Sequence, residues 1–219
     1  MSKGEDFTYP AGSLQISTSV KSPINDCSIY FDDMTKYKSN FESNSFDFSK
    51  ADNGSLTIAF WFMLPKVGSY NTFAFSFNTD NAGSYCIILG DEWINSHNIG
   101  IRINSLYTDK CITSSINTQL NTWTHFCFCI DGTYAYLFIN GNLTATKSVD
   151  KLGGGSGNYT KTWKMIRKTG NNAFVPLYID NLVVVEGECY STKSFTPSII
   201  DSKSIKPILS NNKKRILLY

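Results

Sequence analysis

The sequence predicts an all-β protein, either a sandwich or a barrel. Short apolar stretches recur at roughly 8–12-residue spacing, with Gly, Asn and Asp between them, which is typical of such folds. Apolar residues nowhere keep a helical period for more than a turn or two. Aromatic residues make up 14% of the chain, mostly Phe and Tyr, which strands favour. The 219 residues suit one large domain of this class.

The segment 121–141 predicts a central hairpin. Two apolar runs are joined by Asp131-Gly132 and closed by Asn140-Gly141, and these dipeptides favour the positive φ angles of tight turns. In the first run, one face carries His125 and two cysteines while the other carries phenylalanine and isoleucine. Both faces are therefore apolar or aromatic, and we expect the hairpin to lie in the middle of a layered structure.

The remaining strands are predicted by alternation and by the turn residues that bound them. An edge strand is expected in 14–20, because apolar and polar residues alternate there. Further strands are predicted at 27–31, 55–64, 71–77, 84–89, 99–103, 111–116, 143–149 and 175–185, with short strand pieces in 37–49. The Gly-rich segment 151–161 is predicted to be a long loop, since no phosphate-binding motif accompanies its glycines.

Charge and cysteine placement exclude several classes of protein. The net charge is +2 with 17% charged residues, so we expect no nucleic-acid partner. Three basic residues at 213–215 are too few to change this. No run reaches the length of a transmembrane helix, so no membrane partner is expected. The six cysteines fit neither a disulfide nor a zinc framework, and we expect all of them to be reduced.

The order of several motifs resembles a known family. They are Ser28-Ile-Tyr-Phe-Asp32, Phe46-Asp-Phe48, Leu56-Thr-Ile-Ala-Phe-Trp-Phe62, Leu120-Asn-Thr-Trp-Thr-His125, Leu137-Phe-Ile-Asn-Gly141, Tyr178-Ile-Asp180 and Phe195-Thr-Pro197. The chain is similar, over about 27–197, to the laminin-G-like branch of the concanavalin A-like lectin/glucanase superfamily. The resemblance implies an antiparallel jelly-roll β-sandwich. Residues 1–26 and 198–219 lie outside the match, and we predict an N-terminal extension in 1–26 and a C-terminal docking extension in 198–219.

The family also implies a calcium site as a candidate. Its members often hold calcium near the Phe-Asp and Ile-Asp motifs, which places Asp32, Asp33 and Asp180 as ligands. Calcium takes six to eight oxygens, mostly from carboxylates and carbonyls. The alternative is that these carboxylates only cap strand ends, and no other cofactor is expected.

Two groups of residues have the chemistry of a sugar site, an aromatic platform beside amide or carboxylate groups. One is Trp93 with Asp91, Asn95 and Asn98, and the other is Trp163 with Asn158 and Tyr159. Both are expected on loops. The alternative is that the two tryptophans only pack against the sandwich.

No catalytic site is predicted. Retaining glycoside hydrolysis needs two carboxylates about 5–5.5 Å apart, and the ExDxxE motif of glucanases in this superfamily does not occur. Glu186 and Glu188 have the right spacing but follow the last core strand, where an exposed turn is the simpler interpretation. His125 is expected to be a hydrogen-bonded core residue. The protein is therefore predicted not to be an enzyme.

Our first hypothesis is a non-enzymatic structural and binding module of a virus particle, a phage head decoration or tail protein with a lectin-like domain facing outward. The N-terminus has no apolar stretch, so we expect synthesis in the host cytoplasm without a signal peptide and release by lysis. The expected partners are other virion subunits, held through the terminal extensions, and surface glycans. The extension 198–219 is expected to dock onto another subunit, so that deleting it leaves the melting temperature nearly unchanged. The alternative is a free lectin, or a carbohydrate-binding appendage of a carbohydrate-active enzyme, working outside cells or at their surface.

Overall fold

The structure is a computed structural model that describes residues 15–31, 41–43, 55–66, 73–77, 85–89, 98–102, 111–148, 163–165, 176–186, 188–197 and 215–218. Every regular element in these residues is a β-strand, and all the strand pairs are antiparallel. The strands form two packed sheets. The prediction of an all-β, antiparallel jelly-roll sandwich is confirmed.

The larger sheet has eight strands in the order β1-β2-β13-β4-β9-β10-β11, with β14 also paired to β13. Its strands are β1 (Gln15–Ser17), β2 (Ser28–Phe31), β4 (Ser55–Met63), β9 (Thr124–Asp131), β10 (Tyr134–Ile139), β11 (Asn142–Ser148), β13 (Leu177–Glu186) and β14 (Arg215–Leu218). The predicted edge strand is confirmed, because β1 lies at one edge of this sheet.

The smaller sheet has six strands in the order β3-β12-β5-β6-β7-β8. Its strands are β3 (Phe41–Ser43), β5 (Phe73–Phe77), β6 (Tyr85–Ile88), β7 (Asn98–Arg102), β8 (Cys111–Asn117) and β12 (Trp163–Met165). The sequence did not predict β12. The predicted loop 151–161 lies outside the described residues.

The central hairpin is confirmed. Its β9 strand lies between β4 and β10, and Gly132 lies in the connecting turn with φ 94°. At the next turn Asn140 and Gly141 have φ 50° and 75°, as the Asn-Gly pair predicts. On the inner face of β9, Phe126 stacks on Phe60 of β4 with ring centroids 4.9 Å apart. Each such buried ring stabilises the fold by about 1.5–3 kcal/mol.

The main core lies between the two sheets. Large apolar side chains of both sheets fill it, because alternate residues of each strand point inward. Its fully buried members include Phe60, Phe62, Leu64, Ile87, Leu89, Ile99, Phe126, Leu137, Ile139, Ile179, Leu182 and Val184.

A second apolar cluster lies on the outer face of the larger sheet, beneath residues 188–197, which we call the strap. Cys189, Tyr190 and Phe195 of the strap pack against the sheet. The sheet residues beneath them are Ala59, Cys127, Cys129, Phe138, Val183 and Val185. The expected apolar character of both faces of β9 is thus confirmed, and the strap covers the face that does not meet the smaller sheet.

The strap is fixed to the sheet near both of its ends. The Thr57 hydroxyl donates to the Glu188 carbonyl at 2.7 Å and accepts from the Tyr190 amide at 2.9 Å. Further along, the Phe195 amide donates to the Gly141 carbonyl at 2.8 Å. The Phe195 ring lies 5.1 Å from Phe138 and 5.0 Å from Tyr190.

The last described residues pair with the chain's own larger sheet, whereas we expected the C-terminal extension to dock onto another subunit. Arg215–Leu218 forms β14 and pairs with Leu182–Val185 of β13. The first part of β13 pairs with β2 instead, so β14 covers the backbone that β2 leaves unpaired. An unpaired sheet edge is unfavourable beside apolar side chains, which explains why this apolar terminus folds back. The domain boundaries at 26 and 197 stay predictions.

Candidate functional site

Only two of the predicted ligand-binding residues lie within the described chain. Asn98 is the first residue of β7, and Trp163 is the first residue of β12. Both were expected on loops, and this was wrong, because each pairs with neighbouring strands of the smaller sheet. Trp93, Asp91, Asn95 and Tyr159 lie outside the described residues.

The register of the smaller sheet separates these two positions. Trp163 is level with Phe77 and, through it, with Tyr85 of β6. Asn98 lies beyond the opposite end of β6, because Ile88 already pairs with Gly100. The strands that carry Trp163 and Asn98 are three strand spacings apart, which is about 14 Å across the sheet. The two residues are also five residues apart along the strand direction, which is about 17 Å. The two positions therefore belong to opposite ends of the sheet and do not share one small-molecule site.

A polar strip follows β8, the edge strand next to β7, and consists of Thr113, Ser115 and Asn117. Thr113 and Ser115 alternate with the buried Ile112 and Ser114, so they lie on the outer face. The register with β7 shifts before Asn117, and the exposed Ile116 interrupts the strip. Ser115 and Asn117 are exposed, and Asn117 is the Cα partner of Asn98. The strip presents neutral donors and acceptors, which suit a hydroxylated, uncharged ligand.

The larger sheet offers no comparable surface beneath the strap. Most side chains there are apolar or sulfur-containing, and Ala59, Cys127, Cys129 and Phe138 are each 0% exposed; the polar Thr57 and His125 are buried beneath the strap as well. The sequence did not predict this closure. The sequence feature that could have indicated it is the presence of apolar residues in 189–195, after the last core strand, without the alternation typical of a strand.

His125 lies under the strap and is not available for acid–base chemistry. It is 1% exposed, and burial lowers its pKa from 6.5 to about 4, with only a small opposing effect from Cys129. The side chain is therefore neutral at neutral pH. The expectation of a hydrogen-bonded imidazole was wrong for one ring nitrogen, because Nδ1 is buried with no partner. The backbone amide is bound by the Asn140 side-chain oxygen at 2.8 Å.

Asp180 has surroundings that do not fit a calcium ligand. It is 2% exposed, and its carboxylate accepts from the Ser22 hydroxyl, from Asn25 Nδ2 at 3.0 and 2.8 Å, and from the Asn181 amide at 2.8 Å. These contacts occupy the roughly four acceptor sites of a carboxylate, so a cation would have to displace them. The carboxylate instead fixes the turn before β2 to β13. Asp32 and Asp33 lie outside the described residues, and calcium binding there stays a prediction.

Among the described side chains, no group of three or more His, Cys, Asp or Glu is placed to hold a metal ion. Glu186 ends β13, paired with Leu56. Glu188 was expected in an exposed turn, and this was wrong. It is half-buried at the start of the strap, with Oε2 buried and without a partner.

Comparison with known proteins gives one family. The Laminin_G_3 model, described as concanavalin A-like lectin/glucanases superfamily, matches residues 36–189, well over half of the chain. No curated protein sequence matches the chain. In the described residues no helix is long and apolar enough to cross a membrane.

Solved structures share the fold at low identity. A carbohydrate esterase of the Shiga toxin-encoding bacteriophage phi24B is 14% identical with a TM-score of 0.57, covering 83% of this chain and 90% of that one. The binding domain of Paraclostridial Mosquitocidal Protein 1 is 18% identical with a TM-score of 0.58, covering 82% of this chain. The binding domain of botulinum neurotoxin serotype C1 is 16% identical with a TM-score of 0.53, covering 81% of this chain. This chain spans only 44% of each toxin structure.

Proposed function

We propose that this chain, which belongs to the concanavalin A-like lectin/glucanase superfamily, is a non-enzymatic structural and binding module of a virus particle. In this proposal it is a phage head decoration or tail protein. Its smaller sheet faces outward and binds surface glycans. The terminal extensions, apart from β1, β14 and the turn before β2, contact other virion subunits.

The observation that carries the proposal is the difference between the two sheets. The strap covers the outer face of the larger sheet with Cys189, Tyr190 and Phe195. In the smaller sheet, β8 carries the polar residues Thr113, Ser115 and Asn117, and Ser115 and Asn117 are exposed beside the exposed Ile116. Both described members of the predicted ligand groups, Asn98 and Trp163, belong to this sheet as well. The smaller sheet is therefore the face that favours a ligand.

The chemistry of this face supports a neutral glycan. Hydroxyl and amide groups donate and accept hydrogen bonds without requiring a charged ligand. The phage protein with this fold is named as a carbohydrate esterase, which is consistent with carbohydrate as the ligand class. Trp163, at the other end of the sheet and about 20 Å from Asn98, belongs to the second predicted ligand group.

A catalytic role is not favoured by the described carboxylates. Asp180 is buried and engaged by hydrogen-bond donors, and Asp131 accepts from Thr133, Tyr134 and Tyr136 in its own turn. Burial raises the pKa of Asp131, but the hydrogen bonds from Tyr134, Tyr136 and Thr133 together outweigh it, so the pKa lies below its ordinary value. Neither group is set up as the proton donor that glycoside hydrolysis needs.

Two experiments test the proposal separately. The first is mass spectrometry of purified phage particles, in which we expect peptides of this chain at stoichiometric abundance. Its absence from particles would refute the virion role.

The second experiment is a glycan array probed with the full chain. We expect binding that falls at least tenfold in Trp163→Ala or in Trp93→Ala. Thr192→Ala, which removes an exposed hydroxyl of the strap, is the control and should bind as the wild type does. Glycan binding by a chain that is absent from particles would favour the free lectin or carbohydrate-binding appendage instead.

A further inference from the structure

Three thiols meet beneath the strap. Cys127 and Cys129 follow one another on the outer face of β9, are both 0% exposed, and have sulfur atoms 3.6 Å apart. Cys189 of the strap is half-buried and packs against the same cluster. All three are free cysteines.

Strand geometry excludes a disulfide between Cys127 and Cys129. Residues two apart on a strand have Cα atoms about 6.6 Å apart and parallel Cα–Cβ bonds, so their Cβ atoms are about as far apart. A disulfide needs Cβ atoms about 3.5–4.5 Å apart. The partner for either thiol must therefore come from the opposing strap.

Hydrogen bonds of Thr57 place Cys189 opposite Cys129. Thr57 is the Cα partner of Cys129 across β4 and β9, and its hydroxyl lies 3.7 Å from the Cys129 sulfur. The same hydroxyl binds the Glu188 carbonyl and the Tyr190 amide, the residues on either side of Cys189. Cys127 pairs instead with Ala59, which has no such link to the strap.

Among the three thiols, Cys129 is the one that ionises most readily. Burial raises the pKa of Cys127, and hydrogen bonding to Cys129 together with burial raises the pKa of Cys189. Burial also opposes ionisation of Cys129, but hydrogen bonds from Cys127, Cys189 and the Ser191 backbone outweigh it, so that the pKa of Cys129 lies well below its ordinary value. A stabilised thiolate beside a half-exposed thiol is the arrangement found at cysteines that undergo oxidation.

We propose that Cys129 and Cys189 form a reversible oxidation site at which a peroxide closes a disulfide between the strap and the larger sheet. As the Cys189 sulfur attacks one peroxide oxygen, its proton moves to the hydrogen-bonded Cys129 thiolate, the O–O bond breaks, and the departing hydroxide takes a proton from solvent to leave as water. The Cys129 sulfur then attacks the resulting sulfenic acid, the S–O bond breaks, and the hydroxyl takes the Cys129 proton as a second water. The two thiols supply the two electrons that reduce the peroxide, and a thiol reductant reverses the change.

Closing this disulfide would hold the strap on the sheet. The bond joins a central strand to a segment far along the chain, and such links restrict the unfolded chain most. We therefore expect the oxidised protein to melt roughly 5–10 °C higher than the reduced protein. Amide exchange of residues 188–197 should slow on oxidation and recover after reduction.

The test uses the full chain, reduced and then treated with hydrogen peroxide. We expect the intact mass to fall by two hydrogen atoms and the higher melting temperature to appear with it. Chymotrypsin cleaves after Phe128 and so separates Cys127 from Cys129, which lets non-reducing peptide mapping identify the linked residue. Cys127→Ala is the control that should still form the link.

Cys189→Ser should lose both the mass change and the thermal shift. Because Cys189 is half-buried, this variant keeps the core beneath the strap intact. A link through Cys127, a link between two chains, or unchanged thiols after peroxide treatment would overturn the proposal.

Discussion

Replacing Gly141 by alanine should detach the strap from the larger sheet. A Cβ at Gly141 would lie 1.9 Å from the Phe195 carbonyl oxygen and 2.7 Å from Cδ of Pro197. Gly141 also has φ 75°, which costs an alanine about 1–2 kcal/mol. Relieving the clash requires the strap to move, which breaks the Phe195–Gly141 hydrogen bond, worth about 1 kcal/mol. Partial exposure of the Phe195 ring adds about 1 kcal/mol more.

The total loss in the free energy of unfolding is therefore about 3–4 kcal/mol. Gly132 supplies the matched control, because it has φ 94° and a Cβ there meets nothing within 4 Å. Gly132→Ala should lose only the conformational part, about 1–2 kcal/mol. Urea unfolding measures both values, and amide exchange should rise in residues 188–197 only for Gly141→Ala. Equal losses in the two variants would refute the reasoning, since the clash would then be relieved without detaching the strap.

Three further predictions concern His125, β14 and Asp180. Folding lowers the pKa of His125, so between about pH 6.5 and about pH 4 the unfolded chain binds a proton at this imidazole that the folded protein does not. The free energy of unfolding should therefore fall by up to about 3 kcal/mol as the pH drops through this range. In urea titrations, His125→Gln should show a smaller dependence on pH. Deleting 215–219 should lower the free energy of unfolding by about 2–4 kcal/mol, because removing the four residues of β14 leaves Leu182–Val185 of β13 unpaired on that side. An unchanged melting temperature would favour the expectation of a separate docking tail. Asp180→Asn should cost about 2–3 kcal/mol, because the amide nitrogen that replaces one carboxylate oxygen cannot accept from Ser22, and both proteins should respond alike to millimolar calcium; a calcium-dependent rise in the melting temperature of the wild type alone would show that a cation does displace those contacts.

The sequence predicted the parts of the fold that depend on local signals. Alternation along 124–139, together with Gly132 and Asn140-Gly141, was enough to predict the hairpin, its turns and its central place. These features depend on residues that are near one another in the chain, so a window of sequence contains them.

Features that depend on distant partners were not predicted. The apolar residues at 216–218 looked like a docking segment because nothing local shows that β13 has an unpaired half. Trp163 was placed on a loop because it follows a glycine-rich segment, whereas its strand is defined by pairing with β3 and β5. Asp180 looked like a calcium ligand, but its donors Ser22 and Asn25 come from the other end of the chain.

The most direct test of the account is to locate the bound glycan on the protein. The measurement is hydrogen–deuterium exchange of the full chain with and without the strongest glycan found on the array. We predict slower exchange in the smaller sheet, at 98–102, 111–117 or 163–165, with residues 188–197 unchanged. Protection confined to residues 188–197 would contradict the account, because it would place the ligand on the sheet that the strap covers.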